Sequence, residues 1–243
     1  MAELEGRLAV VTGGAAGIGR ATCLALASRG ARVAIGDVDV ANAIAVVEAI
    51  TARGGEAAAF HVDVRDQASV DAFISAATER FGQVDIVVPN AGVASRAFVH
   101  ELEEEEFRRM LDINLLGVFR TCRAALPGLY ERRAGTIVIV ASDAGKRGEG
   151  GAAGYTATKF GVLGLMESLA EEARTYGVRV NAVCPSGVKT ALSLSLERAD
   201  GTRYDSTSWM EPEEVAEVIA FLASDRSRAL TGTSVDIPGG VRP

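Results

Sequence analysis

Histidine and cysteine are scarce in this chain, which has two histidines and three cysteines among its 243 residues. His61 and His100 have no second plausible metal ligand beside them in the sequence. No CxxC or Cys/His pair of the kind that holds a metal is formed by the cysteines, which are Cys23, Cys122 and Cys184. The sequence therefore predicts no metal site and no histidine triad. We interpret the cysteines as buried thiols in a reducing compartment.

Long apolar runs and an excess of positive charge are also missing. Hydrophobic residues make up 48% of the chain, but their runs are much shorter than the roughly 20 residues of a membrane-spanning helix. The start, Met1 to Arg7, lacks the basic region and cleavage site of a signal peptide. The net charge of -7 disfavours nucleic acid, whose phosphates need clustered Lys and Arg. We expect a cytoplasmic protein that binds neither membranes nor nucleic acid.

Short runs rich in Val and Ile alternate with helical patterns along the chain. We predict strands at Leu8 to Val11, Arg32 to Ile35, Ala57 to Val62, Val84 to Val88, Thr136 to Val140, Val178 to Val183 and Ser234 to Ile237. We predict helices at Gly17 to Arg29, Val40 to Arg53, Gln67 to Phe81, Glu101 to Arg132, Gly154 to Tyr176 and Pro212 to Ala223. This alternation is typical of a parallel sheet covered on both faces.

The predicted fold class is therefore α/β, a single doubly wound Rossmann-type domain over residues 1–243 with a mostly parallel seven-stranded sheet. Ligands of such folds bind at the carboxyl ends of the strands. Two segments break the alternation, the glycine-rich Gly145 to Gly154 and the polar Ser193 to Trp209. Both are candidate mobile loops, and we predict a substrate loop at about residues 190–211.

A glycine-rich turn joins the first strand to the first helix, at Thr12 to Gly19. Gly13 permits a tight turn, Gly17 lets the backbone approach a pyrophosphate, and Gly19 allows close helix packing. The start of the helix adds N–H groups and the positive end of the helix dipole. The pattern predicts a dinucleotide phosphate site, although such a turn taken alone is also explained by packing.

An acidic residue, Asp37, ends the second strand. At this place a carboxylate accepts hydrogen bonds from the adenosine ribose and repels a 2′-phosphate. Ala15 and Ala16 in the turn, and Val38 after the carboxylate, provide no basic group for that phosphate. These features favour NAD over NADP as the cofactor. The alternative is that Asp37 only caps the following helix.

Tyr155 and Lys159 lie four residues apart and therefore share one face of a predicted helix. A phenol has a reference pKa of about 10, and a nearby ammonium group and an oxidised nicotinamide both stabilise its anion. We predict that Tyr155 exchanges a proton with an alcohol or a carbonyl oxygen. Such a pair is common on surface helices, so its position after a dinucleotide turn carries the argument.

Four motifs, in order and spacing, resemble the short-chain dehydrogenase/reductase family over Gly6 to Gly240. They are Thr-Gly-x-x-x-Gly-x-Gly at Thr12 to Gly19, Asp63-Val64, Asn90-Ala91-Gly92, and Tyr-x-x-x-Lys at Tyr155 and Lys159. The resemblance also matches the family's catalytic serine to Ser142 and its helical asparagine to Asn114.

The resemblance implies a role for each of these residues. Ser142 would hydrogen-bond the substrate oxygen, and Tyr155 would transfer the proton. Lys159 would lower the pKa of the tyrosine and hold the nicotinamide ribose, while Asn114 would hold a water in a proton relay. The implied cofactor-binding set is Gly13, Ala16, Gly17, Ile18, Gly19, Asp37, Val38, Asp63, Val64, Asn90, Ala91, Gly92, Tyr155, Lys159, Pro185, Val188 and Thr190. Taken alone, Ser142 is also explained as a strand-end turn residue and Asn114 as a polar residue inside a helix.

Two positions depart from the family's pattern. Pro89 stands where the family usually has another asparagine, and we expect an effect on strand support. Ser186 replaces a common glycine, which puts the substrate class in doubt. Cofactor use is not in doubt, because Val188 and Thr190 remain available for the nicotinamide carboxamide.

The predicted function is NAD-dependent interconversion of a secondary alcohol and a ketone. One alternative is a 3-oxoacyl thioester reductase, against which the acidic net charge and Asp37 weigh. Another is a non-catalytic NAD-binding module, which would need a broken catalytic set. The resemblance also implies a homotetramer built through the helices at Glu101 to Arg132 and Gly154 to Tyr176. The loops carry no recognisable code for the identity of the alcohol or ketone.

Overall fold

A seven-stranded sheet is the centre of the computed structural model, which describes residues 3–239. The end of the family resemblance at Gly240 lies outside the described residues. The strands are β1 (Leu8–Thr12), β2 (Arg32–Asp37), β3 (Ala57–His61), β4 (Val84–Pro89), β5 (Gly135–Val140), β6 (Val178–Pro185) and β7 (Ser234–Ile237). Their order is β3-β2-β1-β4-β5-β6-β7, and every neighbouring pair is parallel. The predicted doubly wound sheet is confirmed, and its paired strands are parallel throughout.

The helices are α1 (Gly17–Ala27), α2 (Val40–Thr51), α3 (Gln67–Phe81), α4 (Glu104–Met110), α5 (Gly117–Arg132), α6 (Ala153–Arg174), α7 (Ala191–Ser195) and α8 (Pro212–Ala223). The long helix predicted at Glu101 to Arg132 consists of three parts, because a π-helical turn at Leu111–Leu116 separates α4 from α5. The short α7 lies inside the predicted substrate loop. Among residues 3–239, we find no helix with the length and apolar character that a membrane crossing requires.

Two apolar layers cover the sheet, one on each face. Leu8 and Val10 of β1 pack in the layer formed with α3, α5 and α6. Ala9 and Val11 pack in the other layer, with α1, α2 and α8. Successive side chains of a strand point to opposite faces, so a strand covered on both sides carries apolar residues on both faces. This explains why β1 is buried along its whole length.

All three cysteines are buried and free, as the sequence predicts. Burial raises the pKa of Cys122 to about 12, and it also raises the pKa of Cys23, with Asp37 adding to the effect. These thiols stay protonated at neutral pH and are poor nucleophiles.

The sheet order reverses at β1, which lies between β2 and β4. At such a switch point the connections leave the sheet in opposite directions and open a crevice at the carboxyl ends of the strands. The glycine-rich turn follows β1 at this edge, and Asn90 follows β4. The fold therefore brings sequence-distant loops to one place.

Candidate active site

A cavity of about 510 Å³ lies at the carboxyl ends of the strands. This volume is within the range of small-molecule sites, about 300 to 1,000 Å³. The residues that line it include all the predicted catalytic and cofactor-binding residues except Gly19 and Asn114. The structure therefore brings several turns that are distant in sequence and the Tyr155 helix around one space.

Two glycines that border the cavity in the glycine-rich turn have a positive φ. Gly13 has φ +67°, and a Cβ there would lie 2.7 Å from Ala91 Cα. Gly17 has φ +51°, and a Cβ there would lie 3.0 Å from Thr190 Cγ2. Residues with a side chain rarely adopt this left-handed backbone conformation. Both positions therefore leave the backbone uncovered where it borders the cavity.

Contacts with helix α1 and with Asn90 hold the glycine-rich turn in place. A Cβ at Gly19 would lie 2.0 Å from the carbonyl oxygen of Gly13, so this glycine permits helix packing and does not line the cavity. The amide of Asn90 donates to the carbonyl oxygens of Thr12 at 3.1 Å and Gly13 at 2.8 Å. The side chain of Asn90 therefore supports the turn.

The first turn of α1 has no side-chain cap, because its N-cap residue is Ala16. Backbone N–H groups at a helix start need acceptors and favour an anion. Together with the bare backbone at Gly13 and Gly17, this uncapped helix start fits the pyrophosphate of a dinucleotide.

Asp37 reaches the cavity from the end of β2. Its Oδ2 accepts a hydrogen bond from Ala15 N, and its Oδ1 accepts one from Asp39 N, both at 3.0 Å. Helix α2 is capped by Asp39, whose carboxylate accepts from Asn42 N. The alternative that Asp37 only caps this helix is therefore wrong, because Asp39 performs that function.

The predicted catalytic residues meet where β5 ends and α6 begins. Lys159 Nζ donates to the carbonyl oxygen of Val140 at 2.9 Å and lies 5.6 Å from the centre of the Tyr155 ring. Ser142 follows β5, and its hydroxyl accepts from Ala144 N at 3.2 Å. Ser142 is thus a strand-end turn residue, as the simpler interpretation has it, and it also lines the cavity.

Burial has the largest effect on the pKa values of Lys159 and Tyr155. It lowers the pKa of Lys159 to about 8, since only 4% of this residue is exposed. Burial also raises the pKa of Tyr155, with Asp143 acting in the same direction, whereas a hydrogen bond with Ser142 and the charge of Arg96 lower it. The resemblance implies a lowered pKa, but among the described residues the cost of burying a phenolate is larger.

Asn114 lies in the π-helical turn, behind the cavity wall. Its Oδ1 accepts from Val93 N at 2.8 Å, and its Nδ2 donates to Val93 O at 2.9 Å and Thr158 Oγ1 at 3.2 Å. The amide therefore joins the loop after β4 to α6. Single π-helical turns occur often at functional sites, and the proposed water relay remains a prediction.

The departures from the family's pattern leave the strands in place. Pro89 is the last residue of β4 and stays in register with Thr12 of β1. Ser186 lines the cavity, and its N–H donates to the carbonyl oxygen of Ile237 at 3.0 Å.

Sequence reasoning missed part of the cavity wall. The missed residues include Val62, Arg65, Val93, Arg109, Ile113, Val140, Ala141, Ala191, Leu192 and Ser193. The sequence could have indicated Arg65, because this residue directly follows the Asp63-Val64 pair. It could not have indicated Arg109, because an arginine beside a run of glutamates is typical of a solvated helix face.

A second missed feature joins three loops beside the cavity, and we name Arg96, Glu149, Tyr204 and Arg198 the latch. Glu149 is bound by Arg96 Nη1 at 2.8 Å and by the Tyr204 hydroxyl at 2.9 Å. The guanidinium carbons of Arg198 and Arg96 lie 4.5 Å and 5.4 Å from the centre of the Tyr204 ring. The latch connects the loop after β4, the glycine-rich loop before α6 and the predicted substrate loop.

Within residues 3–239, no three His, Cys, Asp or Glu side chains are grouped so that they could hold a metal ion.

Known proteins are similar to this chain in both sequence and fold. Residues 7–201 match the family model for short chain dehydrogenase. The chain is 35% identical to a 3-oxoacyl-(acyl-carrier-protein) reductase of Thermotoga maritima, over 98% of this chain and 99% of that protein. It is 37% identical to the enzyme of that name from Staphylococcus aureus, over 96% and 97%. The crystal structure of levodione reductase matches with a TM-score of 0.90 at 33% identity, over 98% of both chains. The chain therefore belongs to the short-chain dehydrogenase/reductase family of oxidoreductases.

Proposed function

We propose that this protein is an NAD-dependent oxidoreductase that interconverts a secondary alcohol and a ketone by hydride transfer. The observation that carries the cofactor choice is Asp37, a carboxylate held at the cavity by two backbone N–H groups. A fixed negative charge there accepts from ribose hydroxyls and repels a 2′-phosphate. The neighbouring Ala15 and Ala16 bring no compensating positive charge.

Several residues of the cavity would hold the dinucleotide. The turn at Gly13 and Gly17 would bind the pyrophosphate, and Asp37 the adenosine ribose. The remaining contacts follow the family resemblance: Ile18, Val38, Asp63, Val64, Asn90, Ala91, Gly92, Pro185, Val188 and Thr190, with Lys159 on the nicotinamide ribose. When bound, the nicotinamide supplies the hydride acceptor or donor and, in its oxidised form, a positive charge.

The protein's own residues would move the proton. Ser142 holds the substrate oxygen by a hydrogen bond, and the Tyr155 hydroxyl exchanges its proton with that oxygen. In ketone reduction the raised pKa of Tyr155 keeps the proton on the phenol at neutral pH, ready for donation. In alcohol oxidation the phenolate must form, and the positive charges of Lys159 and oxidised nicotinamide favour that anion. Asn114 would hold a water in a proton relay.

The substrate would enter beside α7, where Leu192 and Ser193 line the cavity. We propose that residues 190–211 form a substrate loop on a single domain that includes the whole chain. The latch joins this loop to the loop after β4 and to the glycine-rich loop before α6, so it is placed to hold the substrate loop against them.

A 3-oxoacyl thioester is the second candidate substrate class. It is favoured by the two relatives named 3-oxoacyl-(acyl-carrier-protein) reductases, at 35% and 37% identity. The same Ser142, Tyr155 and Lys159 would reduce its ketone. Asp37 weighs against it only where the reduction draws on NADPH.

The deciding experiment measures kcat/KM with NAD and NADP across secondary alcohols, sugars, steroids and 3-hydroxyacyl thioesters. We expect NAD to be preferred by about a hundredfold, because each charge-assisted hydrogen bond contributes roughly 1.5 to 3 kcal/mol. Equal or better use of NADP would contradict the cofactor assignment, and turnover of thioesters alone would favour the second candidate.

We also propose that the protein works as a cytoplasmic homotetramer. The resemblance implies assembly through α5 and α6, and exposed apolar side chains occur on or beside these helices at Leu116, Phe119 and Phe160. Such residues favour a protein interface when they are contiguous. Light scattering should give about four times the 25.3 kDa chain mass, and a monomer alone would contradict the proposal.

A further inference from the structure

Two arginines line the cavity beside Asp63, and the proposed reaction uses neither of them. Arg65 is paired with Asp63 at 2.6 Å, and Arg109 is paired with Glu106 at 2.7 Å. The hydrogen bond with Glu106 raises the pKa of Arg109, while the charge of Arg65 acts in the opposite direction. Each of the two guanidinium groups is thus held by a carboxylate of its own.

Arg65 makes several hydrogen bonds with Asp63. Its backbone N–H donates to Asp63 Oδ1 at 2.9 Å, its Nε lies 3.0 Å from both carboxylate oxygens, and its Nη2 donates to Oδ2 at 2.6 Å. These bonds lower the pKa of Asp63, so the carboxylate stays charged at neutral pH. One edge of the guanidinium is thus fixed against Asp63.

The rest of the Arg65 side chain is open, since 54% of it is exposed. A guanidinium is planar and weakly hydrated, and it stacks well on flat aromatic rings. Because one edge of the group is already fixed, little conformational freedom remains to be lost on stacking. The plane of the Arg65 guanidinium would therefore already be oriented when a flat ring binds in the cavity.

An apolar contact lies at the neighbouring strand end. Val38 lines the cavity and is 61% exposed. It follows Asp37, which pairs with His61 of β3 two residues before Asp63. The ends of β2 and β3 therefore offer one apolar side chain and one guanidinium to the same part of the cavity.

We propose that the face of the Arg65 guanidinium stacks on the adenine ring of the dinucleotide, and that Asp63 holds Arg65 in this orientation. This inference rests on the proposed function, because it needs an adenine nucleotide in the cavity. It makes Arg65 a cofactor-binding residue and gives Asp63 a positioning role in addition to any contact of its own.

Calorimetric titration of the full-length protein with ADP-ribose tests the proposal. Arg65→Ala should raise the Kd about tenfold, since stacking of a base on a side chain is commonly of this size. Arg65→Lys keeps the charge but loses the plane, so its Kd should rise as much. Arg108→Ala is the matched control, because Arg108 is paired with Glu104 on α4 and does not line the cavity. Its Kd should equal that of the unmodified protein.

Three results would overturn the stacking role. These are an Arg65→Ala Kd within twofold of the unmodified protein, full affinity in Arg65→Lys, and a loss of NADP binding in Arg65→Ala that exceeds the loss of NAD binding. The second would indicate simple charge attraction, and the third would indicate a 2′-phosphate site. If Arg65→Ala does not fold, Arg65→Lys carries the test with the same expected loss. Failure of the unmodified protein to bind ADP-ribose or NAD would instead refute the proposed function.

Discussion

The two ends of the cavity are built from different parts of the chain. At the end that we propose for the dinucleotide, hereafter the dinucleotide end, the contacts involve backbone groups: Asp37 accepts from two backbone N–H groups, and Asn90 donates to two carbonyl oxygens. Beside the end that we propose for the substrate, hereafter the substrate end, side chains from three loops bind one another through Glu149, with contacts from Arg96 and Tyr204.

This difference has a physical consequence for how each end can vary. A backbone turn at the end of a buried strand depends on small residues and on a parallel ladder, so few sequences form it. A network of long side chains on loops is formed by many residue combinations, and it moves more easily because few buried apolar contacts hold it. We therefore expect substitutions to be tolerated less in the glycine-rich turn than in the latch.

The largest expected effect lies between the two ends, at the hydroxyl of Tyr155. Tyr155→Phe removes the group that exchanges the proton and keeps the ring, so kcat should fall about a thousandfold, within the range for general acid–base catalysis. The Kd for NAD, measured by titration, should stay within a few fold, because the glycine turn is untouched. Near-normal turnover would refute the proton-transfer role, and loss of NAD binding would show that the reacting centre cannot be separated from the dinucleotide end.

The second expected effect tests the dinucleotide end alone. Asp37→Ala removes two ribose contacts and the repulsion of a 2′-phosphate, so the NAD to NADP ratio of kcat/KM should fall by about a hundredfold. Asp39→Ala is the matched control, because Asp39 caps α2. It should lower the stability of the protein slightly, because the cap is lost, and leave the ratio unchanged. An Asp37→Ala variant that keeps the ratio would contradict the assignment.

The third expected effect is a pH dependence set by Lys159. Burial lowers its pKa to about 8, so its ammonium charge is present below that pH and is lost as the pH rises through it. The kcat/KM for the cofactor, which reports the free enzyme, should therefore fall above pH 8, by up to tenfold per pH unit. In Lys159→Arg the guanidinium stays protonated, so the fall should move to higher pH. If the pH profile of Lys159→Arg did not move, the fall in kcat/KM would be caused by another titrating group.

Much of this molecule could be predicted from its sequence, because strand burial, glycine spacing and strand-end carboxylates are local signals. The seven strands and the turn at Thr12 to Gly19 follow from such signals. The π-helical turn around Asn114 could not be predicted from local signals, since it is a change of register inside an otherwise regular helix. The raised pKa of Tyr155 could not be predicted either, because the degree of burial depends on loops that are distant in sequence.

The latch is the clearest example of what sequence reasoning could not reach. Arg96, Glu149 and Tyr204 lie in three loops, and no spacing rule relates them. Only the folded arrangement shows that one carboxylate accepts from both an arginine and a tyrosine. The predicted substrate loop at about residues 190–211 includes Tyr204, but the sequence did not show the contact that Tyr204 makes with Glu149.

The smallest expected effect tests whether this contact serves the substrate end alone. Burial and the hydrogen bond to Glu149 raise the pKa of Tyr204, so its hydroxyl remains a donor at neutral pH. Tyr204→Phe removes this one bond to a carboxylate and keeps the ring between Arg96 and Arg198. At a partly exposed site the bond contributes roughly 1 kcal/mol, which corresponds to about a fivefold rise in KM for the substrate.

The Kd for NAD should stay unchanged in Tyr204→Phe, because no latch residue lines the cavity and the proposed NAD-binding residues are left intact. Tyr176→Phe is the control for loss of a phenol hydroxyl, since Tyr176 stacks on Tyr130 beyond the end of α6, and its kinetics should match those of the unmodified protein. If Tyr204→Phe raised the Kd for NAD as much as the KM for the substrate, the latch would act on the whole cavity. The two ends would then be mechanically coupled, and the division drawn between them would fail.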